Sequence, residues 1–149
     1  MSIGVIDALQ IAEVQFHGIP NQERIAIYVH KFCEIGEYCM MLSMPTADGI
    51  PVPVKDHMLW FGTGFVNPGD WIFVYTGAGV TTILPGQAAA GSAIQPRIIS
   101  LHWGKDHTIF QNRALNPVLV KIGAVRGLPP AMPAYQGNPG NKQQGLLFN

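Results

Sequence analysis

Charged residues are scarce in this chain of 149 residues. They make up 12% of the sequence, against roughly 25% in an average soluble domain, and nine basic residues balance nine acidic ones. Because there is no dense cluster of lysine and arginine to follow a phosphate backbone, we expect no nucleic-acid partner. A surface with few charges and no net charge is poorly protected from association. We therefore expect a partner protein or further copies of this chain to cover part of its surface. The alternative is a sparingly soluble monomer.

Cysteines and unbroken apolar runs are also few. Cys33 and Cys39 are too few for a disulfide scaffold, and they either lie on adjacent strands or are small buried side chains. Residues 71–96 carry no charge, but glycines, a proline and glutamines interrupt them, which argues against a membrane helix. Residues 1–7 have no basic segment and include Asp7, so no secretory signal is expected. The chain is predicted to be soluble, made in the cytoplasm and without a membrane partner.

What the sequence does contain is a series of short segments with strand-like alternation. Residues 24–32 are the cleanest of these, since Ile25, Ile27 and Val29 would share one face. Residues 71–76 are apolar on both faces, which predicts a central strand. Helix signals are almost absent. The sequence predicts an all-β, antiparallel β-sandwich of about seven or eight strands over residues 1–125, with residues 1–21 packing on it. The other predicted strands are 11–16, 38–44 (as a hairpin arm after 24–32), 57–66, 98–103, 108–111 and 118–125, with 45–55 as a loop and 77–97 as a long connection.

Residues 126–149 differ in composition from the rest of the chain. Fourteen of these 24 residues are Gly, Pro, Asn or Gln, which is typical of an extended arm. Residues 1–106 carry a net charge of −4 and residues 107–149 a net charge of +4, which favours head-to-tail contact between copies. We interpret 126–149 as an arm lying on a neighbouring subunit, although it could also fold back on its own domain. Its predicted contact residues are Arg126, Tyr135, Lys142, Leu146, Leu147 and Phe148, the last three as an apolar anchor.

Several segments resemble the lamin-tail domain, an immunoglobulin-like sandwich. They are residues 67–79 (NPGDWIFVYTGAG), 102–104 (HWG), 108–112 (TIFQN) and 118–122 (VLVKI), with 24–29 matching an early strand of that family. The resemblance extends over residues 22–123. It departs from the family at residues 110–116 (FQNRALN), where the family usually has two Asn and a Gly-Asp after the aromatic, and in the longer connections at 45–56 and 80–97. It implies an immunoglobulin-like interaction module and carries over no catalytic residue.

Residues 102–107 hold the strongest candidates for chemistry. His102, Asp106 and His107 are residue types that could ligate zinc or iron, although a tight turn explains Asp106 without a metal. His30 with the two cysteines is a weaker alternative, and we predict no metal site. Trp103, followed by a glycine and a charged turn, is the aromatic most suited to the surface, where it could bind a sugar or small molecule with His102 and His107. Trp71 and Phe73 are predicted to fill the core.

No catalytic framework accompanies these residues. Ser92 follows Gly91 but lacks the second glycine of a hydrolase elbow, and the Gly-x-Gly pairs at 62–64 and 77–79 are not completed as dinucleotide loops. We therefore predict a non-enzymatic structural or interaction protein without a cofactor. It would assemble into an oligomer or shell, for example as a decoration or accessory capsid protein of a virion. A carbohydrate-binding or small-molecule-binding module is the alternative, and a small metal-dependent hydrolase is a third.

Overall fold

The computed structural model describes residues 4–88, 90, 91, 93 and 95–129, and this part of the chain is nearly all β-structure. The predicted all-β sandwich is confirmed, with ten strands among the described residues in place of the seven or eight expected. The elements are β1 (Leu9–Gln15), β2 (Arg24–Val29), β3 (Cys33–Glu34), a single 3-10 turn (Ile35–Glu37), β4 (Tyr38–Met44), β5 (Val52–Trp60), β6 (Phe65–Val66), β7 (Trp71–Tyr75), β8 (Thr82–Pro85), β9 (Arg97–His102) and β10 (Asn116–Lys121).

The strands form a five-stranded sheet in the order β1-β2-β7-β9-β8, a three-stranded sheet in the order β10-β4-β5, and the pair β3-β6. Ile25, Ile27 and Val29 are fully buried on one face of β2, as the alternation predicts. They pack with alternate residues of β7 and β9 against β4 of the second sheet. The core consists of Leu9, Ile25, Ile27, Val29, Ile35, Tyr38, Met40, Leu42, Phe61, Val66, Ile72, Val74, Ile99, Leu101, Ile109 and Phe110.

The prediction that all strand pairs are antiparallel is wrong at one place. β7 is central, as predicted, but it pairs in parallel with β9, from Trp71 opposite Ile98 to Tyr75 opposite His102. The chain leaves β7, crosses the position of β9 to form β8 at the sheet edge, and returns as β9 between them. β8 is antiparallel to β9 and β9 is parallel to β7, so the chain reverses direction before β8 and again before β9. The predicted long connection 77–97 therefore contains a strand.

Other local predictions also need correction. Segments 24–32 and 38–44 are not a hairpin, because β2 and β4 belong to different sheets and the chain passes between them through β3 and the 3-10 turn. β5 begins at Val52, so residues 52–55, predicted as the end of a loop, are strand although Pro53 and the charged Lys55 are typical of loop composition. Residues 108–111 form turns, because their backbone donors bind a buried side chain and not a neighbouring strand. Cys33 and Cys39 are both free thiols, and burial raises the pKa of each.

A buried carboxylate aligns the two parallel strands. Asp70, in the predicted turn 67–70, accepts hydrogen bonds from the backbone N–H groups of Asn67 and Arg97, both at 2.9 Å. It also forms an ion pair with the Arg97 guanidinium at 3.0 Å. The same guanidinium donates to the carbonyl of Phe65 at 2.9 Å. Because β7 and β9 both begin beside Asp70, this cluster sets their common starting point.

Candidate functional site

The His102 ring is held between two parts of the chain. It lies at the end of β9 on the outer face of the five-stranded sheet and stacks on Tyr75, with the ring centroids 5.1 Å apart and the planes 15° apart. On its other side it meets Gly79, where an added Cβ would overlap the ring. Its Nδ1 atom is buried and has no hydrogen-bond partner in the described part of the chain. This predicted ligand-binding side chain therefore packs against protein on both ring faces.

The topology explains why Gly79 lies on this ring. After β7 the chain must cross over the end of β9 to reach the outer edge, and residues 76 and 77 pair with residues 104 and 105 along the way. The backbone N–H of Lys105 donates to the carbonyl of Thr76 at 2.8 Å, and that of Gly104 donates to the carbonyl of Gly77 at 3.0 Å. A side chain at Gly79 would occupy the space of the imidazole ring, so the crossing requires glycine.

Trp71, Phe73 and Trp103 are all partly buried. Trp103 is partly buried and packs on the core, with the Lys105 ammonium 5.6 Å from its ring centroid. Trp71 and Phe73 are not core residues, because β7 turns Ile72 and Val74 inward. A strand with large apolar side chains on both faces leaves its inward face undetermined by sequence. The assignment of Trp71 and Phe73 to the core is therefore wrong, and Trp103, predicted at the surface, is partly buried.

Trp71 and Phe73 belong to an aromatic layer on the outer face of the five-stranded sheet. The two rings stack at 6.0 Å with planes 9° apart, and Tyr28 meets Trp71 edge-on. The Arg24 guanidinium lies 3.9 Å from the centroid of Phe73 and donates to the Tyr75 hydroxyl at 2.9 Å. Because Arg24 already occupies the face of Phe73 through a cation–π contact, this layer is a packed surface and not an open stacking platform.

His107 and Asp106 lie in a polar cleft at one end of the sandwich. The cleft has a volume of about 410 Å³ and is lined by Gly18, Pro20, Asn21, Thr76, Gly77, Lys105, Asp106, His107, Thr108 and Gln111. His107 Nδ1 lies 2.5 Å from Asp106 Oδ1, and this hydrogen bond holds the pKa of Asp106 below its usual value. The carboxylate is therefore ionised at neutral pH. His102 and Trp103 do not line the cleft, so the structure separates them from His107.

The same separation applies to the metal-ligand candidates. Only Asp106 and His107 contact each other, and both are exposed. In the ranges that the structure describes, no three His, Cys, Asp or Glu side chains come together in an arrangement that could hold a metal ion. His102 faces Tyr75 and not the Asp106–His107 pair. His102, Asp106 and His107, which are close in the sequence, therefore do not form a metal site, because the turn at 104–107 directs their side chains to different surfaces.

A buried carboxylate fixes the walls of the cleft. Glu23 is 1% exposed and accepts hydrogen bonds from the backbone N–H groups of Gly18 (2.7 Å), Ile109 (2.7 Å) and Phe110 (3.0 Å) and from the Thr76 hydroxyl (2.9 Å). These donors belong to three loops that border the cleft. Sequence reasoning missed Glu23, since an acid beside a polar turn is normally solvated and its donors are distant in the sequence.

A separate apolar surface lies along the edge strand β8. Phe32 and Phe65 stack at 5.3 Å with planes 5° apart, and each is 61% exposed. Phe65 and Ile83, which is 58% exposed, line one depression of about 210 Å³. We call this depression the edge groove; its principal residues are Ile35, Phe61, Phe65, Thr81, Ile83 and Arg97. The sequence does not predict this groove, because it predicts residues 77–97, which include β8, as a long connection.

The arm predicted from the sequence falls mostly outside the described residues. Arg126 is exposed. Tyr135, Lys142, Leu146, Leu147 and Phe148 lie outside the part of the chain that the structure describes. Their predicted role in binding a partner therefore stays a prediction.

Comparison with known protein families, characterised proteins and solved structures finds no match to this chain. Among the described residues, no helix has the length and apolar character needed to cross a membrane.

Proposed function

We propose that this protein is a non-enzymatic interaction protein that assembles with other protein chains through the β8 edge and its groove. The observation that carries the proposal is an exposed apolar surface in which Phe65 stacks on Phe32 and lines one depression together with Ile83. Large exposed apolar side chains in contact with one another mark association surfaces more often than isolated ones do. The charge of Arg97 beside them is already compensated by Asp70, so covering the groove leaves no unpaired cation.

The low charge content supports the same proposal. A surface with 12% charged residues and no net charge offers little electrostatic resistance to self-association. An interaction role also agrees with the resemblance to the lamin-tail domain. We extend the proposal to assembly into an oligomer or shell, such as the decoration of a virion, because repeated contacts between small subunits use apolar surfaces of this kind.

The test is the mass of the full chain in solution, with and without a charge in the groove. At micromolar concentration, native mass spectrometry or light scattering should report an oligomer. Ile83→Asp should shift it to monomer or weaken its association at least tenfold, since an ionised carboxylate would be buried without a partner. Met58→Asp is the matched control, because Met58 is 57% exposed on the edge strand β5 of the other sheet. A wild-type chain that is monomeric, or an oligomer equally sensitive to both changes, would refute the proposal.

A second function is favoured by the polar cleft: binding of a small neutral polyhydroxylated ligand such as a saccharide. Asn21, Gln111, Thr108 and the Asp106–His107 pair offer hydrogen-bond donors and acceptors on the walls of one cleft, which is the composition that orients hydroxyl groups. One cation, Lys105, and one anion, Asp106, line the cleft, so their charges balance and favour a neutral ligand.

Titration calorimetry with a panel of neutral saccharides tests this second function. A saccharide that binds should lose at least fivefold in affinity with His107→Ala. His30→Ala serves as the control, because His30 follows the other end of β2, away from the cleft. If no saccharide binds at millimolar concentration, or if His107→Ala and His30→Ala bind the saccharide with the same affinity, the cleft does not bind saccharides.

A further inference from the structure

The four outer edges of the two larger sheets are not equally protected against pairing. β1 carries Glu13 and a bulge between Ile11 and Glu13. β5 carries Pro53, Lys55 and Asp56, and its pairing with β4 is irregular. β10 begins Asn-Pro and ends with Lys121. Charges, prolines and bulges of this kind prevent an edge strand from pairing with another chain.

β8 has almost none of these protective features. Its sequence is Thr-Ile-Leu-Pro, without a charge, and its only proline is the last residue. All four residues are exposed, and β9 is its only partner among the described strands. Ile83 pairs with Ile99 and lines the edge groove on the inner side. Leu84 pairs with Ile98, so it faces the outer side. The edge thus offers backbone hydrogen bonds with an apolar depression beside them, which are the two elements of recognition by strand addition.

The chain itself contains a segment suited to this edge. Residues 145–149 read Gly-Leu-Leu-Phe-Asn, without a charge or a proline. In an extended strand Leu146 and Phe148 would share one face and Leu147 the other. Leu146 and Phe148 could then enter the groove between Phe65 and Ile83 while Leu147 lies beside Leu84. The apolar pair matches the apolar lining, and the short added strand matches the length of β8.

The length of the intervening chain favours a groove on another copy. The described structure continues to Pro129, and the 18 residues from there to Leu147 can span about 60 Å when extended. A domain of this size has a diameter of about 35 Å. The segment can therefore extend past its own domain, and a chain rich in Gly, Pro, Asn and Gln has no tendency to form a helix that would shorten it.

We infer that residues 145–149 of one copy add as a strand to β8 of a neighbouring copy, with Leu146 and Phe148 in its edge groove. The inference rests on the proposed assembly function and identifies the segment that occupies the edge groove. Each copy donates one segment and accepts another, so the contact is head-to-tail and links copies into a ring or a larger array.

Cross-linking of full-length chains tests the inference. All proteins carry Cys33→Ser, which removes the more accessible native thiol. One protein carries Leu147→Cys and the other Leu84→Cys, and the two are mixed and treated with a short bismaleimide. We expect a covalent heterodimer. The matched control replaces Leu84→Cys with Met58→Cys, because Met58 and Leu84 are both 57% exposed; this mixture should give at least tenfold less product. Phe148→Asp in the Leu147→Cys chain should reduce the heterodimer at least fivefold.

The outcomes separate the inference from the proposed function. If the wild type is oligomeric and sensitive to Ile83→Asp but no heterodimer forms, the occupant is wrong and the assembly surface stands. If a single chain carrying both Leu147→Cys and Leu84→Cys cross-links internally and the mixture does not, the segment binds its own domain and the inference is overturned. A monomeric wild type refutes the proposed function, whatever the cross-linking result.

Discussion

Replacing Glu23 by glutamine should lower the free energy of unfolding by about 3 kcal/mol, one of the two largest changes expected for this protein. The buried carboxylate accepts four hydrogen bonds, three of them from backbone N–H groups. A carboxylate only accepts, whereas an amide replaces one oxygen with an NH₂ group. That group would face Gly18 and Phe110, or Thr76 and Ile109, and leave buried donors without acceptors. Side-chain volume hardly changes, so the loss comes from hydrogen bonding.

Urea unfolding and thermal melting followed by circular dichroism measure this effect. The melting temperature should fall by about 10 °C. Glu13→Gln is the control, because Glu13 is exposed and, among the described residues, accepts a hydrogen bond only from the nearby Gln15 side chain; it should change stability by less than about 0.5 kcal/mol. Hydrogen exchange should accelerate first at the amides of Gly18, Ile109 and Phe110. Equal stability of the two variants would mean that Glu23 does not organise the loops around the cleft.

Gly79→Ala should destabilise the protein by about 2 kcal/mol, because the new methyl group overlaps the His102 ring. Gly79 does not have the left-handed backbone conformation, so alanine is not strained by its φ angle. The cost is specific to the contact with His102. Adding His102→Ala removes the overlapping ring, and the double variant should be more stable than the sum of the single changes by at least 1 kcal/mol.

A double-mutant cycle by chemical denaturation measures this coupling. Gly123→Ala is the matched control, since a Cβ at Gly123 meets nothing within 4 Å, and it should leave stability nearly unchanged. Additive effects of Gly79→Ala and His102→Ala would show that the crossing backbone does not lie on the imidazole ring.

The candidate sites show which kinds of feature sequence reasoning could reach. His107 lies in a cleft, but Trp103 and His102, its neighbours in sequence, face the core and Tyr75. Because a tight turn interrupts residues 102–107, their side chains face different surfaces of the protein. Residues that are close in the sequence therefore do not form one site here. Glu23 and Asp70 gained their roles from donors that are distant in the sequence, Ile109 and Arg97 among them. A local sequence pattern cannot predict hydrogen bonds between residues that are distant in the sequence.

The sequence by itself determined the class of the fold and much of its core. Alternation at Ile25, Ile27 and Val29 predicted β2 and its buried face, because burial on a sheet has a period of two residues. The apolar character of both faces of segment 71–76 predicted a central strand. Only the tertiary structure decided that β7 and β9 are parallel, that Trp71 faces outward, and that β8 leaves an apolar groove at an unprotected edge. Those features depend on which strands become neighbours, and strand pairing is fixed by contacts between distant segments that local side-chain periodicity does not encode.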